Sequence, residues 1–351
     1  DHTVTSVKEK ESMYNKVAEV DRYVRANDYY DIDETMLYDR LTAGYLLGTG
    51  DKYARYYTAS AYTDLLNAQS GKLMGIGVEL AIDQSGYAKV IKVYDESPAK
   101  EAGLQRGDYI TTIDGADIKS LGSVEAVQNK LRGESGTSVN VSWLDSENAQ
   151  HTADLTHSGF TANSVDSALV QGNVGYIKIW QFDNSTPSEL DFALRSLTAS
   201  GAQSFIFDLR DNGGGLVDAA VEVADQFLDE GVVVYVEDKN KNRNDYDSKD
   251  GKTDLNTVVL VNENSASASE ILAAALQDNG FKLVGQNTYG KGVIQSTAEL
   301  SDGSAIKLTI MQYFSPDGNK IHKKGVKPDY EVKNEEDSST DAQLEKALSL
   351  F

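Results

Sequence analysis

Val258-Val-Leu-Val261-Asn-Glu-Asn-Ser265-Ala266-Ser267-Ala268-Ser269-Glu270-Ile271-Leu272 runs an apolar strand into a helix through a junction of small residues. The strand ends at Val261, and Ile271, Leu272, Ala275 and Leu276 set a helical spacing from about Ser269 onward. Such a junction leaves a side-chain hydroxyl standing free, with backbone N–H groups at the helix start facing it, the logic of a hydrolase nucleophile elbow. A serine-rich helix cap is the other reading of the same letters, and the segment alone leaves both open.

Two neighbouring turns sharpen the picture. Upstream, Phe205–Leu209 leads through Asp208-Leu-Arg-Asp-Asn-Gly213-Gly214-Gly215 into a helix with Leu216, Ala220, Val223 and Phe227 on one face. Glycines there uncover amides that can hold an anion or an oxyanion, or simply make a tight turn. A dinucleotide fingerprint fails because Asp218 stands where the third glycine belongs. Downstream, Gly285-Gln-Asn-Thr-Tyr-Gly290-Lys291-Gly292 matches the start of a phosphate loop, but Gly292 replaces the Mg²⁺-holding hydroxyl residue. The following Val-Ile-Gln-Ser-Thr is β-like, whereas a phosphate loop must open a helix. A lysine in a tight, partly desolvated turn has another use: as a neutral amine it serves a serine as general base.

Strands at 174–179, 204–209, 257–261 and 282–284 alternate with helices at 189–197, 216–228 and 269–278, which is α/β grammar. The polar run 238–254 is expected to be an exposed loop. Residues 72–158 differ: β runs at 77–82, 88–94, 109–113 and 138–144 and a helix at 123–131 predict a compact β-rich module of about 85 residues. Before it, 6–26 reads as an amphipathic helix carrying Val7, Tyr14, Val17, Val20 and Val24, and a second helix is expected from a capping box at Asp31–Glu34. A short helix closes the chain at 341–350.

Composition removes several chemistries. With 33 Lys+Arg against 55 Asp+Glu the net charge is −22, which disfavours nucleic acid and anionic lipid as partners. No Cys is present, so thiolate metal sites, disulfides and cysteine nucleophiles are excluded. The four histidines, His2, His151, His157 and His322, occupy no strand-end turn, giving a Ser-His-Asp triad little support. Asp245-Tyr-Asp247-Ser-Lys-Asp250-Gly251 misses the calcium-loop spacing by one place. No metal and no cofactor is expected. The first residues lack an initiator Met and an apolar leader, so a signal or membrane anchor outside the given chain is an expectation the sequence leaves open.

Taken together, Ser265-Ala-Ser-Ala-Ser-Glu-Ile271, Leu276-Gln-Asp-Asn-Gly280, Thr288-Tyr-Gly-Lys-Gly-Val-Ile-Gln295, the glycine turn at 208–215, Leu47-Gly-Thr-Gly-Asp-Lys-Tyr-Ala-Arg-Tyr-Tyr57 and Gly325-Val-Lys-Pro-Asp329 resemble the carboxyl-terminal processing peptidases, tail-specific serine proteases with a PDZ domain. The match covers nearly the whole chain, in order. The resemblance implies Ser267 as nucleophile, Lys291 as its base and Gln295 holding the lysine amine. It also implies an oxyanion hole from the amides of Gly214 and Ala268. Ser265 and Ser269 become cap or packing residues, and Asp278 a polar helix end.

The resemblance further implies a mixed α/β and β chain: a crotonase/Clp-like α/β protease core, an inserted PDZ domain and N-terminal helical arms. The expected divisions are 1–70 (helical, for dimerisation or part of the core), 72–158 (PDZ), 165–335 (protease core) and 336–351 (tail with a short helix). Met74, Gly75, Ile76, Gly77 and Val78 would bind a peptide's terminal carboxylate, the peptide adding as a strand beside 77–82. Arg106 or Arg132 would couple that event to the active site. Partners would be protein substrates with accessible C-terminal tails and a second copy of the chain as homodimer, in an extracytoplasmic setting of a bacterium. A catalytically inactive PDZ scaffold that binds C-termini is the rival reading.

Overall fold

The computed structural model describes residues 7–70, 72–82, 85–161, 163–249, 255–335 and 340–351. At its centre lies a six-stranded sheet in the order Val165–Val170, Val174–Ile179, Ser204–Asp208, Asn256–Val261, Lys282–Gly285, Tyr330–Glu331. The first pair is antiparallel and the rest are parallel. Parallel neighbours require crossovers, and helices Thr186–Ala199, Val217–Asp225 and Ala268–Asp278 supply them. Side-chain alternation sends Phe205, Phe207, Val259 and Val261 into the core beneath these helices. Ile206, Val258 and Leu260 point to the opposite face, where Ala347 of helix Ala342–Leu348 covers them. Burial on both faces is why these strands read as unbroken apolar runs.

A second sheet packs alongside. Its spine is the long strand Ala305–Phe314, paired with Val293–Glu299 along one edge and with Arg55–Tyr57 and Gly231–Asp238 along the other. The expected loop 238–254 is in part a strand: Arg243–Ser248 pairs with Gly231–Asp238 across a turn in which Asp238 Oδ1 accepts the amides of Asn240 and Asn242. Its charges suit an exposed edge, while Tyr246 turns inward against the core. Asp250–Asp254 lie outside the described residues, and with them Asp250 and Gly251 of the calcium-like run.

The β-rich module forms a sheet in the order Val78–Ile82, Ala88–Val93, Tyr109–Ile113, Ser138–Leu144, Gln150–Thr156, around a core that includes Val90, Ile110, Val127, Val141 and Trp143. Helix Val124–Leu131 packs on strand Val78–Ile82, which lies at the sheet edge. Where the chain enters and leaves the module, Lys72–Gly75 pairs with Ser158–Thr161.

Helices Val7–Asn27 and Glu34–Gly48 form the N-terminal arm, tied by a two-pronged contact of Arg25 with Glu34. The cap of the second helix is Asp33, which accepts the Met36 amide, rather than the expected Asp31; Glu34 is occupied by Arg25. Much of the apolar stripe foreseen on the arm faces solvent: Tyr14, Val17 and Val20 are exposed and Val24 is half-buried, and Tyr23, Leu41 and Leu47 are exposed beside them. A third helix, Ala59–Gln69, precedes the module. No helix among the described residues is long and apolar enough to cross a membrane.

Candidate active site

Two turns at the carboxyl ends of adjacent parallel strands build the site. In the glycine turn, fully buried Asn212 donates through Nδ2 to Ile179 O at 2.9 Å. Its carbonyl accepts the Ala266 amide at 3.0 Å and the Ser269 hydroxyl at 2.9 Å, which binds the glycine turn to the serine turn. Asp211 adds further ties, accepting from the side chains of Asn262 and Asn264 at 2.8 Å. Gly214 sits at φ +103° against this junction. A Cβ there would lie 2.7 Å from Ser267 Cβ and 2.9 Å from Ala268 N, so only glycine lets the two turns approach.

The three serines of the run separate by role. Ser265 is buried, its hydroxyl donating to Leu209 O at 2.8 Å, and Ser269 is consumed by Asn212. Ser267 alone is partly exposed. It stands at the N-cap of helix Ala268–Asp278 with φ +58°, a conformation uncommon for a residue with a side chain and often found at reactive positions. The cap is thus one residue pair earlier than Ser269. Asp278 accepts the Asp317 amide at 2.9 Å, a structural role at the helix end.

Lys291 follows the strand Lys282–Gly285 in a loop with no helix, so the phosphate-loop reading lacks its anion-binding helix end. Gly290 and Gly292 press this loop onto residues 322–325, and Gly290 O accepts the Lys323 amide at 2.8 Å. The Lys291 ammonium lies 5.3 Å from the Tyr53 ring centroid. Burial, then the nearby Lys307 charge, hold its pKa below the ordinary lysine value, with Glu270 opposing and Arg55 adding to the depression.

Sequence reasoning passed over the residues that join the two halves. Glu270 is fully buried and accepts four hydrogen bonds: through Oε2 from the amides of Ser267 (2.9 Å) and Lys291 (2.8 Å), through Oε1 from the Thr288 hydroxyl (2.5 Å) and the Gly290 amide (2.7 Å). The signal was present as Ser267-x-x-Glu270, the spacing of a capping box. Tyr313 donates its hydroxyl to Lys291 O at 2.6 Å and lies 3.0 Å from Ser267 O. Burial, then the Glu270 charge, raise the Tyr313 pKa, so it stays a donor. It arrives from the spine strand and no local pattern could have marked it.

Ser267, Lys291, Gly214 and Gln295 line one cleft of about 590 Å³, together with Leu216, Val217, Tyr246, Ile294 and Lys307. Two expected contacts are not made in this conformation. The Gly214 amide is given to Asn212 Oδ1 at 2.8 Å, an i to i+2 closure that takes it from the oxyanion position. The Gln295 side chain contacts Val293 O (3.4 Å) and Thr309 Oγ1 (3.5 Å), not the lysine amine, because its strand pairs Gln295 with Thr309. None of the described histidines lines the cleft. His157 is locked between Thr137 and Leu131 carbonyls, and His151 stacks on Trp143. Among the described residues no acid–His cluster could hold a metal.

In the module, Ile76 is buried and Met74 exposed, while Gly75 (φ +148°) and Gly77 (φ +82°) shape the turn before Val78. A side chain at Gly77 would collide with Ser97. Among the described residues Val78–Ile82 pairs only with Ala88–Val93, leaving its other edge open to an added strand. Arg106 lies on the seam with the core, lining a cavity of about 990 Å³ with Tyr94, Trp180, Lys178 and Asp208; Arg132 is beside Asn129, on the surface.

Residues 173–332 match the family model of peptidase family S41, and residues 89–144 match that of a PDZ domain. A carboxyl-terminal-processing protease of Synechocystis sp. is 36% identical over 321 residues, covering 87% of this chain and 75% of that protein. The carboxy-terminal processing protease CtpA of Bacillus subtilis is 32% identical over 321 residues, covering 91% and 68%. Among solved structures, the photosystem II D1 C-terminal processing protease matches with TM-score 0.56 and 31% identity over 87% of this chain and 84% of that one. A Bacteroides fragilis S41 protease structure shares the fold, with TM-score 0.60 and 18% identity over 92% and 91%.

Proposed function

The chain belongs to peptidase family S41, and from that premise we propose that it is a serine endopeptidase that engages the C-terminal tail of a protein substrate through its PDZ domain and cuts upstream with a Ser267–Lys291 dyad. The observation that carries the reading is the single Glu270 oxygen accepting both the Ser267 and Lys291 amides, in a cleft both residues line.

In the proposed reaction neutral Lys291 takes the Ser267 Oγ proton as the oxygen attacks the scissile carbonyl. The Ala268 amide, at the N-terminal end of its helix, and the Gly214 amide, once released from Asn212, hold the oxyanion. The Lys291 ammonium then protonates the departing amine, leaving an acyl-Ser267. Water attacks the ester as Lys291 again accepts a proton, and Ser267 is regenerated. Gln295 reaches the lysine amine only when the cleft rearranges from the conformation described.

Tail binding supports such a rearrangement because Trp180 and Gln181 line both the module–core cavity and the catalytic cleft. Phe182, next in sequence, donates its amide to Gly214 O at 3.0 Å. The exposed apolar arm fits a homodimer, and the family likeness fits work outside the cytoplasm of a bacterium. Cleavage of an unstructured protein by wild type, Ser267→Ala and Lys291→Ala, read by mass spectrometry, tests the dyad. Activity in wild type alone supports it; tail binding without cleavage in any of the three favours the inactive scaffold.

A further inference from the structure

Lys307 lines the catalytic cleft with Lys291 and has no part in the proposed reaction. It lies on the spine strand, opposite Thr297 on one side and opposite Arg55 on the other. Directly opposed residues share a sheet face, and residues two apart along a strand share it too. Gln295, Thr297, Lys307, Thr309 and Arg55 therefore stand on one face, and the Gln295–Thr309 side-chain contact marks that face as the one continuous with the cleft. Among the described residues none of Lys291, Lys307 and Arg55 forms an ion pair with a carboxylate. Arg55 instead gives its guanidinium to the Lys52 and Ala54 carbonyls.

That arrangement is unusual for a chain of net charge −22, where counter-ions are plentiful. Half-buried charges are ordinarily paired, since an unpaired ammonium in a partly desolvated wall is unfavourable. Other charged or titratable groups facing Lys291 or lining the cleft are Glu270 from the serine helix, Tyr53 from the segment before strand Arg55–Tyr57, buried Tyr313, Tyr246, and Asp218 from helix Val217–Asp225, which among the described residues forms no ion pair with either lysine. Asp51 turns to the Thr309 amide and hydroxyl (2.8 and 3.1 Å) rather than to either lysine. The cations are left facing one another.

We propose that Lys307 is a positioning residue of the reaction assigned above, whose uncompensated ammonium on the shared wall favours the uncharged form of Lys291 that can take the Ser267 proton. This rests on Lys291 being the base. A second cation beside an amine is an established way to free its lone pair at moderate pH. The depressed Lys291 pKa, for which Lys307 is the leading charge after burial, agrees with it. Lys307 is itself held below the ordinary lysine value by burial, then by the Arg55 charge.

The test is the pH profile of kcat/KM for wild type, Lys307→Gln and Lys307→Arg on one uncharged unstructured peptide, with thermal melts confirming folding. Removing the charge in Lys307→Gln should move the acidic limb to higher pH, lowering kcat/KM roughly three- to ten-fold near neutrality while the high-pH plateau survives. Lys307→Arg, permanently charged, should keep the limb in place or move it lower. A Lys307→Gln profile superimposable on wild type overturns the proposal, as does an equal loss at every pH. A loss carried by KM alone, with kcat unchanged at every pH, would instead make Lys307 a substrate contact and overturn it too. Lys291→Ala run in parallel separates the premise: if that variant keeps activity, Lys291 is not the base and the dyad itself fails.

Discussion

Glu270 accepts the backbone N–H of Lys291 at 2.8 Å, and does so with the oxygen that also holds the amide of Ser267. One buried carboxylate thereby fixes the spacing of two loops that come from different strands. The side chain of Lys291 is left free to move while its backbone is not.

Glu270→Gln keeps the shape but presents an NH₂ to two amide donors on one side. With the fold retained, kcat should fall by about 10- to 100-fold with little change in KM, as expected when reacting groups are displaced rather than substrate binding lost. Glu270→Ala leaves four buried donors without an acceptor at about 1–3 kcal/mol each, so it should melt far below wild type in a calorimeter. Near-normal kcat in Glu270→Gln would show that the spacing is held by other means.

Lys291→Arg preserves charge and length but cannot surrender its proton under working conditions, so it should be as inactive as Lys291→Ala, with losses of several orders of magnitude. The wild-type profile follows from the same chemistry. In the proposed reaction the uncharged amine is the active form, and its pKa lies below the ordinary 10.5. Activity should therefore decline as pH falls through that lowered value, with an acidic limb below the ordinary lysine range. A flat stopped-assay profile across that range, with Lys291→Ala inactive, would contradict the sign.

Arg210 meets Asp208 with both Nη2 (2.6 Å) and Nε (3.0 Å) and extends to Asp341 (2.8 Å) and Gln343 (3.1 Å) at the start of the C-terminal helix. Burial works against ionised Asp208, but Arg210, Lys178 and Tyr176 outweigh it and hold its pKa below 3.8. A carboxylate depressed in the folded state stabilises above its unfolded value and loses that contribution as pH falls through the folded one, so this cluster should survive mild acid and fail only below about pH 4. Arg210→Met should cost about 1–3 kcal/mol in denaturant titration, because Asp208 loses its closest charged partner but keeps Lys178 and Tyr176. Helix Ala342–Leu348 should then exchange its amide hydrogens faster.

Amidating the C-terminus of a tail peptide removes the charge that the turn Met74–Val78 is proposed to hold. Charge-assisted hydrogen bonds of about 1.5–3 kcal/mol predict roughly 10- to 100-fold weaker binding by calorimetry. Equal affinities for acid and amide would move tail recognition off that turn.

What the sequence revealed tracks the range of the interactions involved. The central strands were readable because both faces are buried and their letters are continuously apolar, as in Phe205–Phe207 and Val258–Val261. The turns that carry Ser267 and Lys291 were readable because glycines and small residues mark them, while the choice of those two residues came from the family resemblance. Strand Arg243–Ser248 was missed because Tyr246 is the one apolar residue in it that points inward and its hydrogen bonds come from a partner strand. Tyr313 and the Glu270–Lys291 bond were missed because each joins segments that meet only in three dimensions. The arm's stripe of Tyr14, Val17 and Val20 was seen correctly as a pattern but not as a surface, since periodicity does not say what covers it.

The bond from Gly214 to Asn212 spans two residues of chain. In the proposed mechanism, withholding one oxyanion donor suppresses turnover by about 10²–10³-fold. Restraint is then written into the same dozen atoms that later accelerate the reaction. In the proposed mechanism it is lifted through Phe182, whose amide holds Gly214 O, so a protease of this design guards its surroundings by default and becomes dangerous only where something turns a single peptide plane.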